Sequence, residues 1–148
     1  MRIAIGSDHA GYGLKELLRH TFEDHDFLDC GTFSEASCDY PDVAIRVARA
    51  VIDGEAETGV LVCGTGVGMA IAANKIRGVR AAACSETYTA KLTRDHNDAN
   101  ILCLGARVVG PGVAEEILKA WVETPFSHDE RHLRRIRKIT EIEARDGQ

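Results

Sequence analysis

The sequence predicts an α/β fold in which a parallel sheet is covered by helices on both faces. Two observations predict it. Short apolar runs alternate with stretches of helical periodicity along the whole chain. The polar and glycine-rich segments follow those runs, as do the loops that form the ligand crevice at the carboxyl edge of such a sheet. The 148 residues suffice for one hydrophobic core, so residues 1–148 are expected to form a single domain.

The first strand is read at Arg2–Ile5. Leu14, Leu17, Leu18 and Phe22 then recur at helical spacing. Phe27–Leu28 suggests a short second strand ending at Gly31, and a loop leads to Tyr40-Pro41. Pro41 suits a first helical turn and opens a helix carrying Val43, Val47 and Val51. Gly59–Val62 is read as the third strand and Val79–Cys84 as the fourth, followed by a helix from about Thr87 to Arg94. Ile101–Leu104 is the fifth strand. Pro111 starts a helix with Ala114, Ile117, Leu118 and Trp121 on one face. A last helix, from about Asp129 to Ala144, carries Leu133, Ile136, Ile139 and Ile142 as an apolar stripe between charges. No strand follows it, so it packs either on its own sheet or on a second subunit.

Composition excludes several classes. A net charge of −5 argues against nonspecific nucleic-acid binding, which needs a cationic surface to displace counterions. No apolar run reaches membrane-spanning length, and the start MRIAIGSDHAG lacks the apolar core of a signal peptide. Cys30, Cys38, Cys63, Cys84 and Cys103 are odd in number and include no C-x-x-C pair, which disfavours a disulfide framework and a structural zinc site. A reducing, cytoplasmic location and no metal are expected.

Three polar segments converge on the carboxyl edge of the predicted sheet. Ser7-Asp8-His9 follows strand one, Cys63-Gly64-Thr65-Gly66-Val67-Gly68 follows strand three, and Gly105-Ala106-Arg107 follows strand five. The glycine loop lets backbone N–H groups turn toward an anion, with added positive character from the helix that follows; the alternative is a tight turn with no ligand. Its spacing is not the dinucleotide fingerprint, since Met69 stands where the third glycine belongs, and it is not a P-loop. Cys63 begins this loop. A thiol facing backbone amides ionises more readily and can take a proton or attack an electrophile, but position alone leaves a buried structural cysteine equally open. Asp8 could bind a hydroxyl or cap the next helix, and its neighbour His9 could meet phosphate. The segment from Arg94 to Asn100 includes His96, which could shuttle a proton near neutral pH, although Asn and Asp also favour plain turns. Arg107, Arg131 and Arg135 are candidate phosphate clamps. The last two lie at i and i+4 on one helix face within the most basic stretch of the chain, which is otherwise a solvated surface.

Asp8-His9-Ala10-Gly11, Asp39-Tyr40-Pro41, Cys63 through Gly68, Ile71-Ala72-Ala73-Asn74-Lys75, His96-Asn97, Arg107 and Arg131-His132 occur in this order. Together they resemble the type B ribose-5-phosphate isomerases, grouped with the galactose-6-phosphate isomerase subunits, over essentially the whole chain. The resemblance implies a three-layer, Rossmann-like fold with a five-stranded parallel sheet. It also implies a homo-oligomer, dimer or tetramer, with a shared active site and a C-terminal helix packing on the partner. The implied reaction interconverts ribose 5-phosphate and ribulose 5-phosphate through a cis-enediolate, with no cofactor. Cys63 takes the base role, and Ile71 stands where some members use a glutamate. His96 would open the sugar ring, and Thr65 counts with these two as catalytic. Asp8, Tyr40 and Asn97 would hold hydroxyls, with Gly64, Gly66, Val67 and Gly68 around the reacting carbons. His9, Arg107, Arg131 and Arg135 would hold the phosphate, the last two from the neighbouring subunit.

Other sugar phosphates, of allose, galactose or a tetrose, fit the same residues. A nucleotide-cofactor dehydrogenase would use Glu86 for a ribose, but the short chain leaves no room for a substrate domain. A non-catalytic sugar-phosphate sensor would not need both Cys63 and His96.

Overall fold

The computed structural model describes residues Met1 to Asp146. Eleven elements follow in chain order: β1 (Arg2–Ser7), α1 (Tyr12–Thr21), β2 (Asp26–Asp29), α2 (Tyr40–Ile52), β3 (Thr58–Cys63), α3 (Val67–Ala73), β4 (Ala81–Ala83), α4 (Thr87–Asn97), β5 (Ile101–Gly105), α5 (Pro111–Glu123) and α6 (Glu130–Asp146). The five strands form one sheet in the order β2-β1-β3-β5-β4, and every pairing is parallel. Strand order reverses between β1 and β3. Ligands bind at such a switch point, outside the carboxyl ends of the strands.

Alternation along each strand builds two cores. Ile3, Ile5, Val60, Val62, Leu102 and Leu104 point to the side where Leu18, Ala90, Ile117, Leu118 and Trp121 pack. Ala4, Leu61, Cys63, Ile101 and Cys103 point to the other side, against Val43, Val47, Met69 and Ala73. Because both faces are covered, the central strands read as continuous apolar runs, which is how they show in the sequence. Trp121 is 1% exposed, and its indole N–H donates to Thr58 Oγ1 at 3.0 Å. Thr58 in turn donates to the Asn100 carbonyl at 2.9 Å, so a polar chain crosses the base of the core fully paired.

Two expectations need correction, and one open alternative narrows. β4 covers only Ala81–Ala83 rather than Val79–Cys84, because Val79 is held in a turn by its N–H to Ile76 O. On the open side of β4, the Asn74 side chain donates to Ala81 O at 2.9 Å and accepts from Ala81 N at 2.8 Å. α4 continues past Arg94 to Asn97 and ends at Asp98 in the left-handed region, with φ 45°. His96 and Asn97 therefore form a last helical turn, where composition read as a loop. Finally, the apolar stripe of α6 is not buried within this chain: Ile139 and Ile142 are 48% and 51% exposed, whereas His132 is 3% exposed. α6 lies outside the three layers, against α4, and Glu143 accepts from the Gly78 amide at 2.9 Å.

Candidate active site

The carboxyl edge at the switch point brings together the three segments the sequence singles out. The Asp8 amide donates to Val62 O at 3.1 Å, which seats the turn after β1 on β3. The Ala106 and Arg107 amides donate to Cys63 O and Gly64 O at 2.8 and 3.0 Å, which seats the turn after β5 on the glycine loop. These bonds extend the parallel ladders beyond the strands, so the site rests on the sheet itself.

Cys63 is the last residue of β3 and is 5% exposed. Its Sγ accepts the Gly66 amide at 3.1 Å. That contact needs Gly66 at φ 79°, a conformation only glycine takes at little cost. The Val67 amide is taken by Thr65 Oγ1 at 3.3 Å, so the Thr65 hydroxyl keeps its own proton for another acceptor. α3 has only seven residues, so individual amides rather than a long helix dipole supply the positive character here.

Around this loop stand the other candidates. Asp8 is 7% exposed, and its Oδ1 accepts the Gly11 amide at 3.0 Å, leaving Oδ2 for a ligand. The same carboxylate thus both caps the turn and borders the site. His9 Nδ1 accepts the Cys38 amide at 3.3 Å, tying the segment before α2 to the turn after β1. A cavity of about 330 Å³ beside His9 is lined by Leu14, Glu35, Ala106 and Val109. Tyr40 opens α2 with its ring over Gly68, where an added Cβ would stand 2.9 Å from Cζ. Exposed Arg107 extends over Gly64, where an added Cβ would stand 3.5 Å from Nη1.

The remaining candidates lie elsewhere. α4 carries the chain from the carboxyl end of β4 back to the start of β5, so His96 and Asn97 sit at the amino edge of the sheet. At a strand's rise per residue, that edge is roughly 15 Å from Cys63. Arg131 and Arg135 share this edge, at the start of α6. Arg131 pairs with Asp129 at 3.6 Å. Within one chain the candidates therefore fall into two half-sites on opposite edges.

The second half-site holds a residue that sequence reasoning left open. The His132 ring packs on the His96 ring with centroids 4.2 Å apart. Ser127 Oγ lies 2.9 Å from His132 Nδ1, and the Ser127 amide donates to Asp95 O at 3.1 Å. Asp95 Oδ2 lies 3.3 Å from His96 Nε2. Desolvation first, and then the neighbouring His96, hold the His132 pKa below its usual value. A histidine following an arginine in a charged run carries no sign of such burial.

Cys30, Cys84 and Cys103 are placed for packing. Burial pushes the Cys84 thiol up to about 11 and raises Cys103 as well, while burial and nearby Asp29 raise Cys30. A groove of about 780 Å³ between α6 and the β4 edge, lined by Arg77, Arg80, Ile139 and Ile142, lies apart from Cys63. No helix of the described residues is long and apolar enough to cross a membrane.

Comparison with known proteins agrees with the fold. The family model described as Ribose/Galactose Isomerase matches residues 3–139. Ribose-5-phosphate isomerase B of Escherichia coli is 48% identical over 146 residues, covering 97% of each chain. A D-erythrulose-4-phosphate isomerase of Pectobacterium atrosepticum is 42% identical over 133 residues, covering 85% of each. The solved structure of Clostridium thermocellum ribose-5-phosphate isomerase B superposes with a TM-score of 0.96 at 47% identity, covering 98% of this chain and 99% of that one.

Proposed function

Since the chain belongs to the ribose/galactose isomerase family, we propose that it interconverts ribose 5-phosphate and ribulose 5-phosphate, as a cytoplasmic enzyme whose residues 1–148 form one isomerase domain. The observation that carries this is Cys63: its sulfur accepts the Gly66 amide at the switch point, in a loop bordered by Asp8, Tyr40 and Arg107.

The half-sites join across two copies of the chain. His96, Asn97, Arg131 and Arg135 of one protomer complete the edge that carries Cys63, Asp8, His9, Tyr40 and Arg107 in the other. Val67 and Ile71, one turn apart on α3 and 52% and 59% exposed, give this edge an apolar border for a partner to cover.

The chemistry then runs in three steps. His96 moves a proton between the anomeric hydroxyl and the ring oxygen, and the sugar opens. Cys63 takes the C2 proton as thiolate, and the electron pair moves onto the aldehyde oxygen to give the cis-enediolate. The Gly66 and Val67 amides are already engaged, which leaves the amides of Gly64, Thr65 and Gly68 as the donors we assign to that oxyanion. One such donor is worth about 3 kcal/mol in a barrier. The Thr65 hydroxyl supplies a proton to O1, Cys63 returns its proton to C1, and the ketose forms as O2 passes its proton to the Thr65 oxygen, which restores the hydroxyl. His9, Arg107 and the partner's two arginines hold the phosphate, so binding energy remote from the reacting carbons orients them.

The test is purified protein with ribose 5-phosphate, chelator and no nucleotide, following ribulose 5-phosphate, with Cys63→Ala beside it. Turnover that falls on the order of a thousandfold in the variant supports both the reaction and the base. Turnover surviving in the variant removes Cys63 as base. The 42% identical relative named for erythrulose 4-phosphate supports a second reading, with a tetrose phosphate as substrate. A folded protein inert across four- to six-carbon sugar phosphates would overturn the isomerase reading.

A further inference from the structure

We infer that His132 is a positioning residue for ring opening: it holds the His96 imidazole in the one orientation in which Asp95 selects its tautomer. The inference rests on the role proposed for His96 and goes beyond it.

A side chain that moves a proton must present the right nitrogen at the right moment, and a half-exposed histidine ring rotates freely unless something holds it. His96 has 37% of its side chain exposed, so its surroundings within α4 do not lock it. Two contacts do. The Asp95 carboxylate at 3.3 Å favours the proton on Nε2 and leaves Nδ1 as the base. The His132 ring, tilted 34° and 4.2 Å away, covers one face and blocks rotation.

His132 can act as a wall because it is itself fixed. It is 3% exposed, lies in the first turn of α6 with its amide on Asp129 O at 2.9 Å, and has Ser127 Oγ on Nδ1. The Ser127 amide returns to Asp95 O, so the loop that anchors His132 also ties to the residue that orients His96. The charged groups facing His132 are Asp129, Arg131 and Arg135 besides His96 itself. Burial first, and then His96 and the two cations against one carboxylate, favour the uncharged form of His132.

A residue that acts only on ring opening leaves a directional signature. Ribose 5-phosphate enters mainly as a closed ring. Ribulose 5-phosphate has its O5 phosphorylated, so no five-membered ring can close on C2, and it enters open. Its product can leave as the free aldehyde and close in solution.

His132→Ala is compared with the parent, His96→Ala and the double variant in both directions, with ¹⁵N imidazole NMR of His96. Expected in His132→Ala are a loss of about tenfold or more in kcat from ribose 5-phosphate and a smaller loss in kcat from ribulose 5-phosphate, with KM shifts that keep the two kcat/KM values in the ratio set by the equilibrium constant. The double variant should be no slower than His96→Ala, and the His96 nitrogens should pass from one tautomer to an averaged pair. Full additivity with His96→Ala, or a His96 tautomer unchanged in His132→Ala, overturns the inference. If that variant does not fold, Ser127→Ala removes only the anchor; it should shift the His96 nitrogens the same way and less, and no shift is equally fatal. If the parent turns over no sugar phosphate, the proposed function fails, while the NMR comparison still decides whether His132 holds His96.

Discussion

The Tyr40 ring lies against Gly68, so that a single methyl group at Gly68 would stand 2.9 Å from Cζ and 3.3 Å from the hydroxyl oxygen. Gly68→Ala must therefore move either the ring or the loop. We expect activity to fall about tenfold or more with little change in melting temperature, since Tyr40 is 40% exposed and can swing outward. In a Tyr40→Ala background the same substitution should add little. Steady-state kinetics of the two single variants and the double variant check this; equal costs in both backgrounds would show that the loop, not the ring, is disturbed.

Lys15 is a fully buried lysine whose Nζ bonds both oxygens of Asp29, at 2.8 and 2.9 Å, and the Thr32 carbonyl at 2.7 Å. Asp29 also accepts the Gly31 amide and an Arg19 N–H. The ammonium thus fastens the segment after β2 that leads toward Cys38 and Tyr40. Lys15→Met fills the same space but leaves the carboxylate short of a partner. A loss of about 3 kcal/mol in urea unfolding is expected, with a higher KM from the loosened segment. A variant as stable as the parent would show that Arg19 alone satisfies Asp29.

Mixing Cys63→Ala with His96→Ala protomers checks the joining of half-sites. If each site takes Cys63 from one chain and His96 from the other, a mixed dimer has one intact site and one with both defects. Random reassociation of equal amounts should then recover about a quarter of parental activity on ribose 5-phosphate from two proteins that are each strongly impaired toward it. No recovery, with mixed dimers present by native mass spectrometry, would place both residues in one protomer.

His132 also makes a pH prediction. Its folded pKa lies below its ordinary 6.5, so the unfolded chain binds the proton more readily. Stability from this group is complete above about pH 6.5 and is lost as pH falls through the folded value. The parent should lose melting temperature more steeply than His132→Gln between about pH 6.5 and pH 5. Parallel curves would show that His132 does not carry the effect.

Much of this was legible in the chain. The central strands show as apolar runs because both faces are buried, and the glycine loop shows because its turn requires glycine at Gly66. Lys15, Tyr40 and His132 were less legible, because their environment comes from segments distant in sequence. Lys15 occupies a polar position of a helical pattern yet is capped by the loop after β2. Nothing local marks Tyr40 as the neighbour of Gly68. The α6 periodicity pointed to its isoleucines, while the buried residue is His132, covered by the end of α4. The division into two half-sites follows from topology: a helix returning from β4 to β5 ends at the amino edge, whatever its residues.

The Asn74 carboxamide has a consequence for how copies of this chain can meet. By bonding both polar groups of Ala81, it stands in for the next strand at the start of β4. At this margin another chain finds no vacant donor and acceptor at Ala81 with which to lengthen the sheet. At that point contact with a neighbour falls to side chains on helices and loops, where shape and charge choose the partner, rather than to backbone, which would accept any extended segment.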